Sequence, residues 1–301
     1  MGAAMKPVAR HQLSAIRLWH SLRTAQKWLL VVLAMACVIW AIALLRMSWQ
    51  PLVADDELVY NSAVHWPDAP MRVNPPAYIT AVRLSFVLLG ESVAAARVPG
   101  ILAGFVSLFL IAAIVIRALN RTDMAYWTAA VAVGLYALYP QAIQNMMFID
   151  IDTAFLTAVL LGLVWIWLRV GNLPRMARVL ILALAFAATL WVKLLSPFLT
   201  MGSIALFLLL QGQFSKLVDT IASIAIGFAL FFVTISANVT GPYVFGYTGG
   251  YMSRLNILDP VNVRFIMTVF PQAAGVVALW FSIPMALLAL TALLASIRRW
   301  I

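Results

Sequence analysis

Eight apolar stretches, near residues 28–45, 98–116, 124–142, 150–168, 177–192, 196–210, 217–237 and 265–296, are separated by connections that carry most of the charges. Runs of this length without sustained polar alternation predict transmembrane helices. The fifth and sixth need an argument. A single helix from Ala177 to Leu210 would be about 51 Å long at 1.5 Å per residue, too long for one crossing of a roughly 30 Å hydrocarbon core. The pattern therefore predicts two crossings, broken at Lys193 to Pro197.

Two connections are long. Residues 47–97 and residues 238–264 form external loops in this reading, and loops of such length in a compact protein are usually functional or disordered. The first should be ordered, because Asn74-Pro75-Pro76 signals a helix start and Ala77 to Leu89 is apolar apart from Thr80, Arg83 and Ser85. At this length the segment is short for a span and is expected to lie flat at the membrane surface. The second loop is rich in glycine and tyrosine (GPYVFGYTGGY).

Composition sharpens the class. Only 10% of the 301 residues are charged, 64% are hydrophobic and the mean hydropathy is +1.00, which excludes an ordinary soluble domain. The expected fold is an all-α polytopic bundle of about eight spans. A basic cytoplasmic segment, residues 1–27, precedes a membrane domain over 28–301, and no soluble C-terminal domain is expected. The apolar run from Trp28 to Leu45 is longer than a signal-peptide core and has no small-x-small cleavage site after it. The net charge of +10 comes from basic residues scattered between the apolar runs, so it reads as topology and not as nucleic-acid binding. The single cysteine, Cys37, excludes an internal disulfide and a cysteine metal cluster.

Placing the N-terminus in the cytoplasm puts 13 of the 20 Lys and Arg residues inside, in agreement with the positive-inside rule. Eight of the ten acidic residues then fall outside: Asp55, Asp56, Glu57, Asp68, Glu91, Asp150, Asp152 and Asp259. The charges after Lys193 do not fix the orientation of the later spans.

Three carboxylates in a row, Asp55-Asp56-Glu57, are costly beside a bilayer unless they hold a cation, take a proton or meet a basic partner. In order, the chain then reads PLVADDELVYNSAV, NPPAYITAVRLSFVLLGES and ARVPGILAG. This order resembles the lipid-linked-sugar glycosyltransferases of the GT-C fold, in the branch of protein-mannosyltransferases, aminoarabinose transferases and bacterial galacturonosyltransferase-like proteins. Asp56-Glu57 with Tyr60 and Ala63, then Asn74-Pro75-Pro76, then Arg97-Val98-Pro99-Gly100, correspond to the family's successive motifs, with departures at Asn74 and Gly100. Phe148-Ile149-Asp150 resembles its aspartate at the head of span four, and Val192-Lys193 with Ser196-Pro197 its lysine segment. The likeness covers residues 28 to 210 and rests on order and sidedness.

It implies a sugar transferase of the bacterial inner membrane with its site on the periplasmic face. The donor would be a polyprenyl-phosphate sugar and the acceptor an extracytoplasmic glycan, lipid or protein. Chemistry points the same way: no nucleotide-sugar pool exists outside the cytoplasm, so the membrane must deliver an activated donor. An attacking acceptor hydroxyl needs a general base. Asp56 is the candidate, with Glu57 or Asp55 as its electrostatic neighbour, and direct displacement would invert the anomeric centre. Asp55 is equally a good helix N-cap. Arg97, Lys193, Arg83, Arg254 and Arg264 are the external cations that could receive the phosphate, although snorkelling to lipid head groups explains each of them too. Asp150 and Asp152 are the candidate ligands for a divalent cation, or anions favoured by a helix start. No other cofactor is implied. Tyr60, His65 and Asn74 are candidate substrate contacts.

Two alternatives stay open. A transporter or flippase for a lipid or glycolipid would place ionisable residues at mid-membrane, often in paired repeats, and no repeat is visible. A truncated or inactive relative of the same fold is the other, and the chain could equally be a short member of the family or a fragment.

Overall fold

In the computed structural model of the chain, residues 22–47, 54–65, 76–150, 153–193 and 195–238 are described. Every regular element among them is a helix: α1 Thr24–Met47, α2 Ala54–Val64, α3 Ala77–Leu89, α4 Val93–Ala118, α5 Asp123–Ala137, α6 Pro140–Met147, α7 Ala154–Val170, α8 Arg175–Leu190, α9 Leu195–Leu210 and α10 Phe214–Asn238. The predicted span at 265–296 and nearly all of the loop at 238–264 lie outside the described residues.

Three helices are long and apolar enough to cross a membrane, over Thr24–Arg46, Val93–Ala118 and Phe214–Thr234. The helices at the other four predicted positions, α5, α7, α8 and α9, have 15 to 17 residues, roughly 22 to 26 Å at 1.5 Å per residue. One predicted span is cut short. The stretch 124–142 breaks after Ala137 because Pro140 cannot continue a helix, and Tyr139 takes the extended conformation (φ −77°, ψ 112°) that a residue before proline favours. Another starts early. α4 begins at Val93, capped by the Ser92 hydroxyl on the Ala95 amide, so Arg97 and Pro99 lie inside the helix and not at its edge. Pro99 has no N–H to give the Ala95 carbonyl, and the buried Ser85 hydroxyl of α3 donates to that oxygen at 2.6 Å instead.

The ends of the helices sort into two groups. At one end Arg23 pairs with Asp123 at 2.9 Å, Arg117 Nε donates to Leu168 O, and Asp219 is held by Arg175 and Arg178. α8 and α10 run parallel from there. Ser223 donates to Val179 O at 3.2 Å, Gly227 packs on Ala183, and Trp191 Nε1 reaches Thr234 Oγ1, roughly 30 Å along α10 from Phe214. α8 therefore runs alongside α10, and α9 returns the chain. At the far end the Ala77 amide donates to Trp191 O at 3.2 Å, while Ser85 ties the other part of α3 to Ala95. Both ends of α3 are thus anchored at one end of the bundle, so α3 does not cross it.

Three apolar clusters fill the interior. Trp40, Leu108, Ala129, Val133 and Met146 join α1, α4, α5 and α6; Gly100 and Gly104 let α6 approach, since a Cβ at Gly104 would collide with the Met146 side chain. Tyr78, Ile79, Val82, Phe86 and Ile149 hold α3 against α4 and the start of α7. Phe186, Leu190, Met201 and Phe231 join the last helices. Large apolar side chains such as Met35, Leu102, Phe109, Leu184 and Val233 face outward, as a lipid-facing bundle requires.

Candidate functional site

At the end of the bundle that carries α2 and α3, four polar side chains from distant parts of the sequence converge. Asp56 leads. It shares one face of α2 with Val59 and Ala63, at spacings of three and seven residues, and all three are buried. Asp56 is only 2% exposed, and its Oδ1 accepts a hydrogen bond from the Ile149 amide at 2.9 Å, across 93 residues of chain. Glu57 lies one position further round the helix and is exposed, so the structure does not bring it into the buried group. Of the Asp55 side chain nothing is described.

Arg97, in the second turn of α4, is 4% exposed and lies within electrostatic reach of Asp56. A buried carboxylate is tolerated when a cation compensates it. Arg97 is one of the expected phosphate-binding cations, and the structure places its charge within electrostatic reach of Asp56. Tyr78, on α3, completes the group. Its ring packs against Phe155 at 5.1 Å between centroids, and its hydroxyl has no hydrogen-bond partner among the described residues. Burial, and then the charges of Asp150 and Asp56, raise the Tyr78 phenol well above the usual tyrosine range. The hydroxyl therefore keeps its proton at every physiological pH.

Asp150 reaches this group from the turn ahead of α7. That helix starts at Ala154, with Thr153 as the residue before it, so Asp150 does not sit in its first turn and helix capping does not explain it. Asp152 lies outside the described residues. Among the described residues no three His, Cys, Asp or Glu side chains come together as metal ligands.

The other expected contacts separate. Arg83 donates from Nη1 to Val64 O at 3.3 Å, closing the C-terminus of α2. Tyr60 packs edge-on against Phe86 at 5.2 Å, and His65 is exposed with Nδ1 against Asn61 O. Lys193 is half-buried just past α8, its amide bonded to Thr189 O, at the same end as Tyr78 because Trp191 contacts the start of α3. Asn74, Arg254 and Arg264 lie outside the described residues.

An apolar groove of about 550 Å³ adjoins the polar group, between α3, α4 and α7. Leu84, Leu88, Val98, Leu102 and Val159 line it, and Phe155 forms part of its wall while touching Tyr78. Ser85 is its one polar lining side chain, and that hydroxyl is already engaged with Val82 O and Ala95 O.

Tyr78 and the Ile149 amide were not singled out from the sequence. The tyrosine carried a usable signal, since it sits on the buried stripe of α3 with Val82 and Phe86, where a phenol needs a partner. A backbone amide carries none.

No family model, curated protein or solved structure matches the chain.

Proposed function

We propose that this chain is an integral-membrane glycosyltransferase that moves a sugar from a polyprenyl-phosphate donor to an extracytoplasmic acceptor. The observation that carries the reading is the convergence of Asp56, Tyr78, Arg97 and Asp150. They come from the four successive segments whose order resembles the GT-C transferases, and they meet at one end of the bundle. The apolar groove beside them has the chemistry to receive an isoprenoid chain.

In this proposal the Ile149 amide and Arg97 orient the Asp56 carboxylate. The acceptor oxygen bonds to the anomeric carbon as its proton passes to Asp56, and the bond from that carbon to the phosphate oxygen breaks with its electron pair leaving on the phosphate. The anomeric configuration inverts. Lys193, at the same end, is the basic residue we assign to the departing phosphate, and such a cation stabilises the charge that develops there. The site would face the periplasm in a bacterial inner membrane, with a glycan, lipid or protein as acceptor.

The test uses the purified full chain in nanodiscs with a panel of polyprenyl-phosphate sugars and an envelope extract as acceptor. Release of free polyprenyl phosphate from one donor, together with a labelled product, supports the proposal. Every donor remaining intact, in a preparation shown to be folded, overturns it.

A further inference from the structure

At the end of the bundle opposite Asp56, the ends of α7, α8 and α10 gather basic side chains around one carboxylate. Asp219 is almost wholly buried and holds Arg175 through Oδ1 at 2.7 Å and Arg178 through Oδ2. Lys216 lies one helical turn before it on α10 and is exposed. Arg178 also donates from Nη1 to Gly171 O at 3.4 Å, which ties the group to the end of α7, where Arg169 is exposed and Leu168 O accepts from Arg117 Nε. Among the described residues the other carboxylate at this end, Asp123, already pairs with Arg23.

Such a cluster repels itself. Arg175 and Arg178 open α8, and Lys216 is the third residue of α10, so all three stand where the helix dipole already presents positive charge. Asp219 offsets only one of them. Arg175 is 63% exposed although its Nε is bonded to Asp219, which leaves the cluster open to an anion from outside. The neighbouring surface decides which anion. Met176 on α8, and Phe214 and Val218 on α10, are each one or two residues from a cation of the cluster and more than half exposed. Leu180, Leu184 and Ile221 continue the exposed apolar surface along the same two helices. A free phosphate would use the cations and leave this surface bare, whereas an anionic phospholipid uses both, its phosphate on the cations and its acyl chains along the helices. We infer that Arg175 and Lys216, with Arg178 and Asp219 behind them, bind the headgroup of an anionic phospholipid in the leaflet at this end of the bundle. The site is independent of the transferase reading.

The test uses the full chain in maltoside micelles with acyl-labelled lipids as probes. Wild-type protein should bind phosphatidylglycerol about 10-fold or more tighter than phosphatidylcholine, and excess inorganic phosphate should leave the phosphatidylglycerol bound. Arg175→Gln/Lys216→Gln should bind phosphatidylglycerol about 10-fold or more weakly than the wild type, at roughly 5-fold per cation removed, with phosphatidylcholine binding unchanged. Arg23→Gln/Arg121→Gln, which removes the same charge from the start of α1 and the turn after α4, should lose less than about 3-fold. All four side chains are exposed, so both variants should unfold at about the wild-type temperature. Equal binding of the two lipids by the wild type, undiminished phosphatidylglycerol binding by Arg175→Gln/Lys216→Gln, or an equal loss in Arg23→Gln/Arg121→Gln overturns the site, and displacement by inorganic phosphate overturns a lipid as its occupant. Should Arg175→Gln/Lys216→Gln fail to fold, Lys216→Gln alone decides: a loss of about 5-fold supports the site, and no loss overturns it.

Discussion

Replacing Arg97 with methionine keeps most of the side-chain volume and removes the cation that faces Asp56. Both residues are almost completely buried, at 4% and 2% exposure, so water cannot take over the role of the missing charge. Removing one member of a buried pair typically costs about 3–5 kcal/mol, because the other is left as an uncompensated ion. Asp56→Asn keeps an amide oxygen that can still accept from the Ile149 N–H, but it leaves the buried Arg97 cation uncompensated and should likewise cost about 3–5 kcal/mol. In the double variant neither charge remains, so its cost should fall below the sum of the single costs by at least about 2 kcal/mol. Equilibrium unfolding in mixed micelles, followed through the tryptophans, measures all four corners of this cycle. An Arg97→Met cost below about 1 kcal/mol, or simple additivity, would refute the electrostatic coupling on which the site is built.

Other consequences concern the frame. A Cβ at Gly227 would lie 2.5 Å from the Ala183 carbonyl oxygen, so Gly227→Ala should push α8 from α10 and lower stability by about 1–3 kcal/mol, whereas Gly202, with open space around it, should tolerate alanine in the same unfolding assay. Asp219 is almost wholly buried against Arg175 and Arg178, yet Arg175 is 63% exposed; Asp219→Ala should therefore destabilise clearly more than Arg175→Ala, whose charge water already solvates. In a Cys37→Ser background, a cysteine at Glu57 should react with an impermeant maleimide in intact cells, and one at Asp123 only after the membrane is opened. Labelling of both from the same side would contradict the sorting of helix ends.

The helical architecture was legible because apolar runs report the environment of each segment directly. Helices lie at all seven apolar stretches before residue 238, with 124–142 divided into two and three of the helices long and apolar enough to cross a membrane, and the helix start after Pro76 follows from the proline chemistry. The misplaced boundaries have local causes. Pro140 interrupts a run that stays apolar across the break, and Pro99 sits inside α4 because Ser85, from another helix, supplies the donor it lacks. In the site, the acidic run was conspicuous but its members looked alike. Only the rotation of α2 separates buried Asp56 from exposed Glu57. Arg97 read as a free cation at a helix edge, and its position beside Asp56 depends on how α2 and α4 dock, which no short-range pattern encodes.

In the proposed mechanism Asp56 takes the acceptor's proton during transfer from a lipid phosphate. The direct measurement is single-turnover release of polyprenyl phosphate by wild-type protein and by Asp56→Asn, each from preparations matched for circular dichroism and monodispersity. The wild type should release the lipid phosphate, and the variant should bind the donor yet release polyprenyl phosphate at least about 100-fold more slowly. Equal rates from the two folded proteins would contradict it.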